Sequence, residues 1–173
     1  MSETVLRTAR LMLRAVTPQD SGRITGVVAD PRVHRMLARV SPDQTKAQTL
    51  AWIITHDRGR ADDTDHVFAI TLGGHLIGVI GANRADTALP FEIGYWLAPE
   101  AWGQGYCSEA GKALIGWLDE RRSARALLAG HFADNPASGR VLSKLGFLPC
   151  GRNRMFSAGR GELADHILMA RIA

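Results

Sequence analysis

The chain predicts a mixed α+β domain of about seven strands and about four helices. Short stretches that alternate apolar and polar residues are interleaved with longer ones whose apolar residues recur every three or four positions. The strand-like stretches between 66 and 98 follow one another directly, as in an antiparallel meander. The order strand, helix, strand over 90–133 suits a parallel crossover instead. With 173 residues, 46% apolar and 22% charged, the chain fits one domain over 1–173 that buries its own core.

The elements follow in order. In "RLMLRAV" (10–16), Leu11, Leu13 and Ala15 point one way and Arg10, Met12 and Arg14 the other, as in a strand. "TPQD" opens a helix, with Thr17 as cap, Pro18 at the first helical position and Asp20 in the first turn. It runs to about Ala29, where Asp30-Pro31 breaks it. "SPDQ" (41–44) repeats the start signal for a second helix reaching about Asp57. "RGRADDTD" (58–65) reads as a polar loop. "HVFAITL" (66–72) and "LIGVIGANR" (76–84) form a hairpin about Gly73, Gly74 and His75, and "PFEIGYWLA" (90–98) is the next strand.

Over 105–121, Tyr106, Ala110, Ala113, Leu114, Trp117 and Leu118 mark one face of a helix. "ALLAGHFA" (126–133) is a short strand. "DNPASGRVLSKLGF" is a helix with Pro136 near its first position, Val141, Leu142 and Leu145 inward and Gly146 as its stop. "FLPCGRNRMF" and "LADHILMARI" supply the closing strands.

Composition excludes several classes. Charges interrupt the N-terminal hydrophobics and no apolar run approaches the roughly 20 residues of a membrane span, so a cytoplasmic protein without membrane contact is expected. Cys107 and Cys150 have no metal-like spacing and the six histidines form no ligand pair, so no metal is expected. Net charge is +4, densest over 120–125. That cluster reads as the solvated end of a helix rather than a nucleic-acid surface, because no basic stripe is interleaved with aromatics.

The chemistry concentrates in "WGQGYCSE", Trp102 to Glu109. Gly103 and Gly105 stand just before a helix, where unpaired amides collect and glycine lets backbone approach an anion closely. A P-loop is the other glycine-based possibility, and its GxxxxGK[ST] pattern is absent. In "FEIGYWL", Phe91, Ile93, Tyr95 and Leu97 share one face, and Glu92, Gly94 and Trp96 the other.

These pieces fall in an order that resembles the GNAT acetyltransferases, in the RimJ/RimL-like branch that modifies ribosomal-protein N-termini. "LRTARLMLRAVTPQD" resembles that branch's opening, "LIGVIGANR" the strand before its site, and "FEIGYWLAPEAWGQGYCSEA" its central strand and acetyl-CoA pyrophosphate loop. "NPASGRVLSKLGF" resembles its second cofactor helix. Nearly the whole chain is covered. The superfamily's Arg/Gln-x-x-Gly-x-Gly/Ala pattern is departed from at Trp102, which is common in this branch, and at Cys107.

The resemblance implies a GNAT fold whose mostly antiparallel sheet splays at the cofactor site, and acetyl-CoA as cosubstrate. Cofactor contacts are implied at Tyr95, Trp96, Leu97, Trp102, Gly103, Gln104, Gly105, Tyr106, Cys107, Ser108, Asn135, Ser138 and Lys144. Backbone around 94–97 would steady an oxyanion. Glu92 aligns with the general base of several members, a structural carboxylate being its other reading. Ser138 aligns as partner of the departing thiolate, against a serine bonded to its own helix. Asn135 suits an N-cap as well as a pantetheine contact. Cys107 reads as a small buried filler or, at a helix start, a reactive thiol.

The implied reaction is acetyl transfer to a primary amine in a ternary complex, with a protein or peptide N-terminal α-amine as acceptor. A small-molecule amine (antibiotic, polyamine or amino acid) and a non-catalytic acyl-CoA-binding module remain as alternatives. The acceptor pocket is expected between the first two helices and the 58–65 loop, where Arg58, Arg60, Asp62, Asp63 and Asp65 could select charge. A homodimer is left open.

Overall fold

A computed structural model describes residues 4–122 and 125–172. β1 (Leu6–Arg7) and β2 (Met12–Ala15) lead into a 3₁₀ turn at Pro18–Asp20, followed by α1 (Ser21–Val28), α2 (Pro31–His34) and α3 (Lys46–Ala61). β3 (Asp65–Leu72), β4 (His75–Asn83) and β5 (Phe91–Leu97) form the meander, and a second 3₁₀ turn at Pro99–Ala101 precedes α4 (Tyr106–Arg122). β6 (Ala126–Phe132), α5 (Pro136–Lys144), β7 (Leu148–Ser157) and β8 (Glu162–Ile172) complete the chain. Of the basic cluster over 120–125, Ser123 and Ala124 lie outside the described residues.

The strands make one eight-stranded sheet in the order β1-β2-β3-β4-β5-β6-β8-β7. The expected mixed architecture is present, with one strand more than the sequence indicated. The addition is β1, whose two residues are too few to show alternation. Neighbours pair antiparallel except β5 and β6, the crossover pair, which are parallel.

The alternation along each strand sorts the apolar side chains into two layers. On one face Leu13, Phe68, Ile70, Ile80, Phe91 and Ile93 pack against Ala110, Leu114 and Leu118 of α4 and Leu142 and Leu145 of α5. On the other, Val67, Ala69 and Val79 pack against Ile24, Val27 and Val28 of α1, Val33 of α2 and Ile53 of α3. No described helix is long and apolar enough to cross a membrane.

Three helix boundaries depart from expectation. Thr17 does begin the first helical segment, its N–H and hydroxyl donating to Asp20 Oδ2 at 2.8 and 3.0 Å, but the first turn is 3₁₀. After the Asp30-Pro31 break the chain re-enters a short helix, because Asp30 accepts from the Arg32 N–H at 2.8 Å and caps α2.

The largest correction concerns 58–65, which is mostly not a loop: α3 starts at a capping box between Thr45 and Gln48 and runs to Ala61. Its polar tail is the solvent side of the helix. Arg58 pairs with Asp62 one turn on and Arg60 with Asp57, and cations suit a helix C-terminus. Asp65 already belongs to β3 and is held by His56 at 2.7 Å, while Asp63 binds Arg84 and His66. These groups hold each other, so the segment is a helix end and a turn rather than a long loop.

Leu114 is fully buried at the centre of α4. Leu114→Ala is expected to lower unfolding free energy by about 2–5 kcal/mol, read from urea denaturation. A loss under about 1 kcal/mol would contradict the seating of α4 on the sheet.

Candidate active site

The parallel pair at the centre of the sheet is brief. β5 and β6 match only at Phe91↔Leu127, Glu92↔Leu128 and Ile93↔Ala129, although the strands continue to Leu97 and Phe132. On its other edge β5 stays paired with β4 as far as Leu97. The Ala98 N–H donates to Ile77 O at 2.8 Å, on the β4 side. Backbone polar groups alternate between the two edges of a strand, so those of Tyr95 and Leu97 face the gap. The splay inferred from the resemblance is therefore present. Trp102 closes its end, its indole N–H donating to Leu97 O at 2.9 Å.

The glycine loop follows directly. Gly103 and Gly105 have φ of 76° and 79°, a region that side chains disfavour, so glycine is required by the backbone path. α4 begins at Tyr106, and its first amides, including those of Cys107 and Ser108, have no carbonyl one turn back within the helix. The sequence did not reveal Arg10 here. Its guanidinium lies over the Tyr106 ring at 4.5 Å, donates to Gln104 O at 3.1 Å and pairs with Glu109 at 2.7 Å. The Thr8 hydroxyl and Arg10, working against partial burial, hold the Glu109 carboxyl below the usual carboxylate range. Read alone, Arg10 is an outward residue beside a strand; nothing local links it to a loop some ninety positions away.

On the α4/α5 face, the Tyr95 hydroxyl donates to Ser138 O at 3.1 Å and lies 3.0 Å from Ser138 Oγ. Burial pushes the Tyr95 phenol well above its ordinary value, nearby Cys107 adds to that and the Ser138 contact opposes it, so the phenol keeps its proton. Asn135 caps α5, Oδ1 accepting from the Ser138 N–H at 3.2 Å. Cys107 is buried and desolvation pushes its thiol up to about 12. It is the buried filler.

On the opposite face stand Glu92, Gly94 and Trp96, as strand alternation indicated. Glu92 is exposed and makes no hydrogen bond or ion pair among the described residues. A side chain at Gly94 would meet nothing within 4 Å, so the space above it is open. Trp96 packs half-buried against the α1–α3 core layer. Lys144 stands apart from the other residues. It lies on the side of α5 turned away from Ser138 and Leu142, lining a shallow groove with His131, Arg140 and Ser143.

Among the described residues no three His, Cys, Asp or Glu side chains converge to hold a metal. What the geometry provides is a slot through a sheet, with unpaired amides along one wall, a helix start at its end and proton-handling groups on both faces. Such a slot suits an extended thioester carrier and a nucleophile arriving from the other side, the arrangement of an acyltransferase.

Residues 10–148 match the acetyltransferase (GNAT) domain, and the chain belongs to that family of enzymes. It is 29% identical over 173 residues to the N-acetyltransferase YoaA of Bacillus subtilis (strain 168), covering 93% of this chain and 92% of that one. It is 34% identical over 109 residues to the ribosomal-protein-serine acetyltransferase of Escherichia coli (strain K12), covering 62% and 59%. The solved structure of RimL, a ribosomal L7/L12 α-N-protein acetyltransferase in complex with coenzyme A, superimposes with a TM-score of 0.85 at 21% identity, over 98% of each chain.

The thiols give a check on the site's packing. Cys150 is exposed and Cys107 buried and protonated. A chromogenic disulfide at pH 8 should therefore titrate one thiol per folded chain and both after denaturation. Rapid reaction of both in the native protein would show that the start of α4 is open.

Proposed function

We propose that this GNAT enzyme transfers acetyl from acetyl-CoA to the N-terminal α-amine of a protein or peptide, in the cytoplasm. The observation that carries the reading is the stretch of β5 beyond Ile93 that has lost its partner on the β6 side, followed by the Gly103–Gly105 turn and the start of α4. The amides of Tyr95 and Leu97 would pair with the amide groups of the pantetheine arm as an added strand. The amides of the loop and of Tyr106, Cys107 and Ser108 would hold the pyrophosphate, with the helix dipole and the Arg10 guanidinium adding positive charge. Coenzyme A in RimL and the ribosomal-protein substrates named for the relatives support both halves of the proposal.

The chemistry divides between the faces. Binding both substrates in one slot supplies proximity. Backbone N–H groups along 94–97 sit where they would steady the oxyanion of the attacked thioester. Glu92, exposed beside the open space over Gly94, accepts a proton from the incoming ammonium through water. An α-amine with a pKa of about 8 is already roughly a tenth neutral at pH 7, whereas a lysine near 10.4 is less than about a thousandth neutral. A carboxylate acting through water suits the former. Ser138, backed by the protonated Tyr95, donates a hydrogen bond to the departing thiolate.

The test is thiol release from acetyl-CoA with peptides, polyamines and aminoglycosides as acceptors. Peptides with a free N-terminus should be the preferred acceptors. Glu92→Gln should lower kcat by about 10²-fold or more with acetyl-CoA affinity unchanged. Ser138→Ala, replacing a hydrogen bond to a moderately basic leaving group, should cost about tenfold. Turnover of a polyamine or aminoglycoside in preference to every peptide would overturn the acceptor assignment. Turnover indifferent to both substitutions would remove Glu92 and Ser138 from the mechanism.

A further inference from the structure

An ammonium group loses two protons on its way to an amide, and the mechanism above gives it one acceptor, Glu92. A second basic group stands at the mouth of the gap, carried by the C-terminal strand. His166 on β8 pairs with Phe132 on β6, and its ring leans over the bare backbone of Gly130. A Cβ on Gly130 would come within 2.2 Å of His166 Cε1 and 2.5 Å of Nε2. The imidazole therefore occupies the volume a side chain would fill at the first position of β6 that is no longer paired with β5. Gly130 is the continuation, one step past Ile93↔Ala129, of the row that contains Gly94.

The ring's other nitrogen bears on its tautomer. Nδ1 lies 3.1 Å from Asn153 Oδ1; with the Asn153 amide turned this way its oxygen only accepts, which favours the tautomer with the hydrogen on Nδ1 and the lone pair on Nε2. Nε2 makes no hydrogen bond among the described residues, and it is not sealed from solvent as Nε2 of His56 is. His166 is 5% exposed as a residue, and its ring packs edge-on against Phe132 at 5.6 Å. Burial lowers its pKa, Glu92 on β5 opposes that shift, and His131 on β6 adds to it. Asn153 on β7 is uncharged. Beyond Phe132 lies Arg160, paired with Asp134, and next to His166 on β8 itself lies Asp165, near Arg154.

We propose that His166 Nε2 is the acceptor of the second proton, a catalytic base shared with Glu92 and working at the fork of the sheet. The assignment rests on the transfer reaction proposed above. The exposed Glu92 takes the first proton through water, freeing the amine's lone pair, which forms the N–C bond to the thioester carbon. The nitrogen then bears a positive charge directly over Gly94 and Gly130, within reach of the imidazole. His166 removes that proton as the C–S bond breaks. The thiolate leaves with the electron pair and takes up one proton from solvent on the Ser138 side, while Glu92 and His166 each return one proton to solvent. One proton is released overall, as amide formation from an ammonium and a thioester requires. With its pKa held below the ordinary value of about 6.5, His166 is in the accepting form at neutral pH.

The experiment compares wild type, H166N and H166A in steady-state thiol release with an N-terminal peptide, across pH. The asparagine of H166N keeps an amide donor toward Asn153 while removing the basic nitrogen. It should lower kcat by about 10²-fold, leave KM for acetyl-CoA unchanged and abolish the acid limb of the kcat profile that wild type and E92Q retain. Added imidazole should restore H166A in proportion to its free-base concentration, a response that a packing role would not give. Independently of any variant, nitrogen-15 imidazole spectra of the wild-type protein should show His166 protonated at Nδ1 with Nε2 free at pH 7.

Wild-type kcat and pH profile in H166N, failure of imidazole to restore H166A, or a ring protonated at Nε2 would each overturn the assignment while leaving acetyl transfer standing. A wild-type chain that binds acetyl-CoA but releases no thiol to any amine would overturn the transfer reading, and this one with it.

Discussion

The site depends on one topological constraint: the two central strands are parallel and remain paired for only three rungs. A parallel neighbour requires a crossover, and here the crossover is α4, whose start must lie beyond the end of β5. Separation of the strands past Ile93 leaves backbone groups of a central strand without ladder partners, a cost the molecule has to meet at each position. The structure meets it unevenly. The Leu97 carbonyl is satisfied by the Trp102 indole, on the same segment that carries the glycine turn. The remaining amides are directed into the slot. A fold-level fact, the point where two strands part, thus fixes where a ligand can add to the sheet.

Three buried ionisable groups around that slot are shifted in a consistent sense. Burial disfavours charge, so it raises the acids and lowers the base: the Tyr95 phenol and the Cys107 thiol keep their protons, and His166 gives its up. At neutral pH these three residues are all uncharged, two able to donate and one able to accept. The exposed carboxylate of Glu92 and the guanidinium of Arg10 stand at the slot's margins, on the acceptor and loop sides respectively. Neutral polar groups inside and charges at the rim suit a reaction whose charged intermediates form only transiently. They also spare the site the desolvation of a permanently buried ion.

Much of this was legible in the sequence because the determining patterns are local. Strand parity alone placed Glu92, Gly94 and Trp96 opposite Tyr95. Asn135-Pro136 announced the start of α5, and the two glycines announced the turn before α4. What escaped the sequence is non-local or too short to show a period. β1 has two residues, and α2 is a single turn held by Asp30. The tail of α3 looked like a loop because a helix stabilised by pairs such as Arg58–Asp62 has the composition of one. Arg10 and His166 reach the site only through contacts that sheet topology creates, across β1–β2 and α4 in one case and β6, β7 and β8 in the other.

The two glycines at the fork show how position and chemistry are joined. Gly94 and Gly130 are the first residues on β5 and β6 beyond the last rung, and both turn the missing side chain toward the α1–α3 face. Over Gly94 nothing intrudes; over Gly130 lie the imidazole of His166 and, 3.0 Å from the Cβ position, the Ile167 carbonyl oxygen. A substituent at Gly94 would fill the path from the exposed Glu92 to the gap, and one at Gly130 would displace the ring that leans across it. On the proposed reading, the apex of the fork is where a nucleophile from the α1–α3 face would meet carrier-binding backbone on the same strand. On that reading, the thioester carbon lies at that apex, because there the strands part and the space over Gly94 is open.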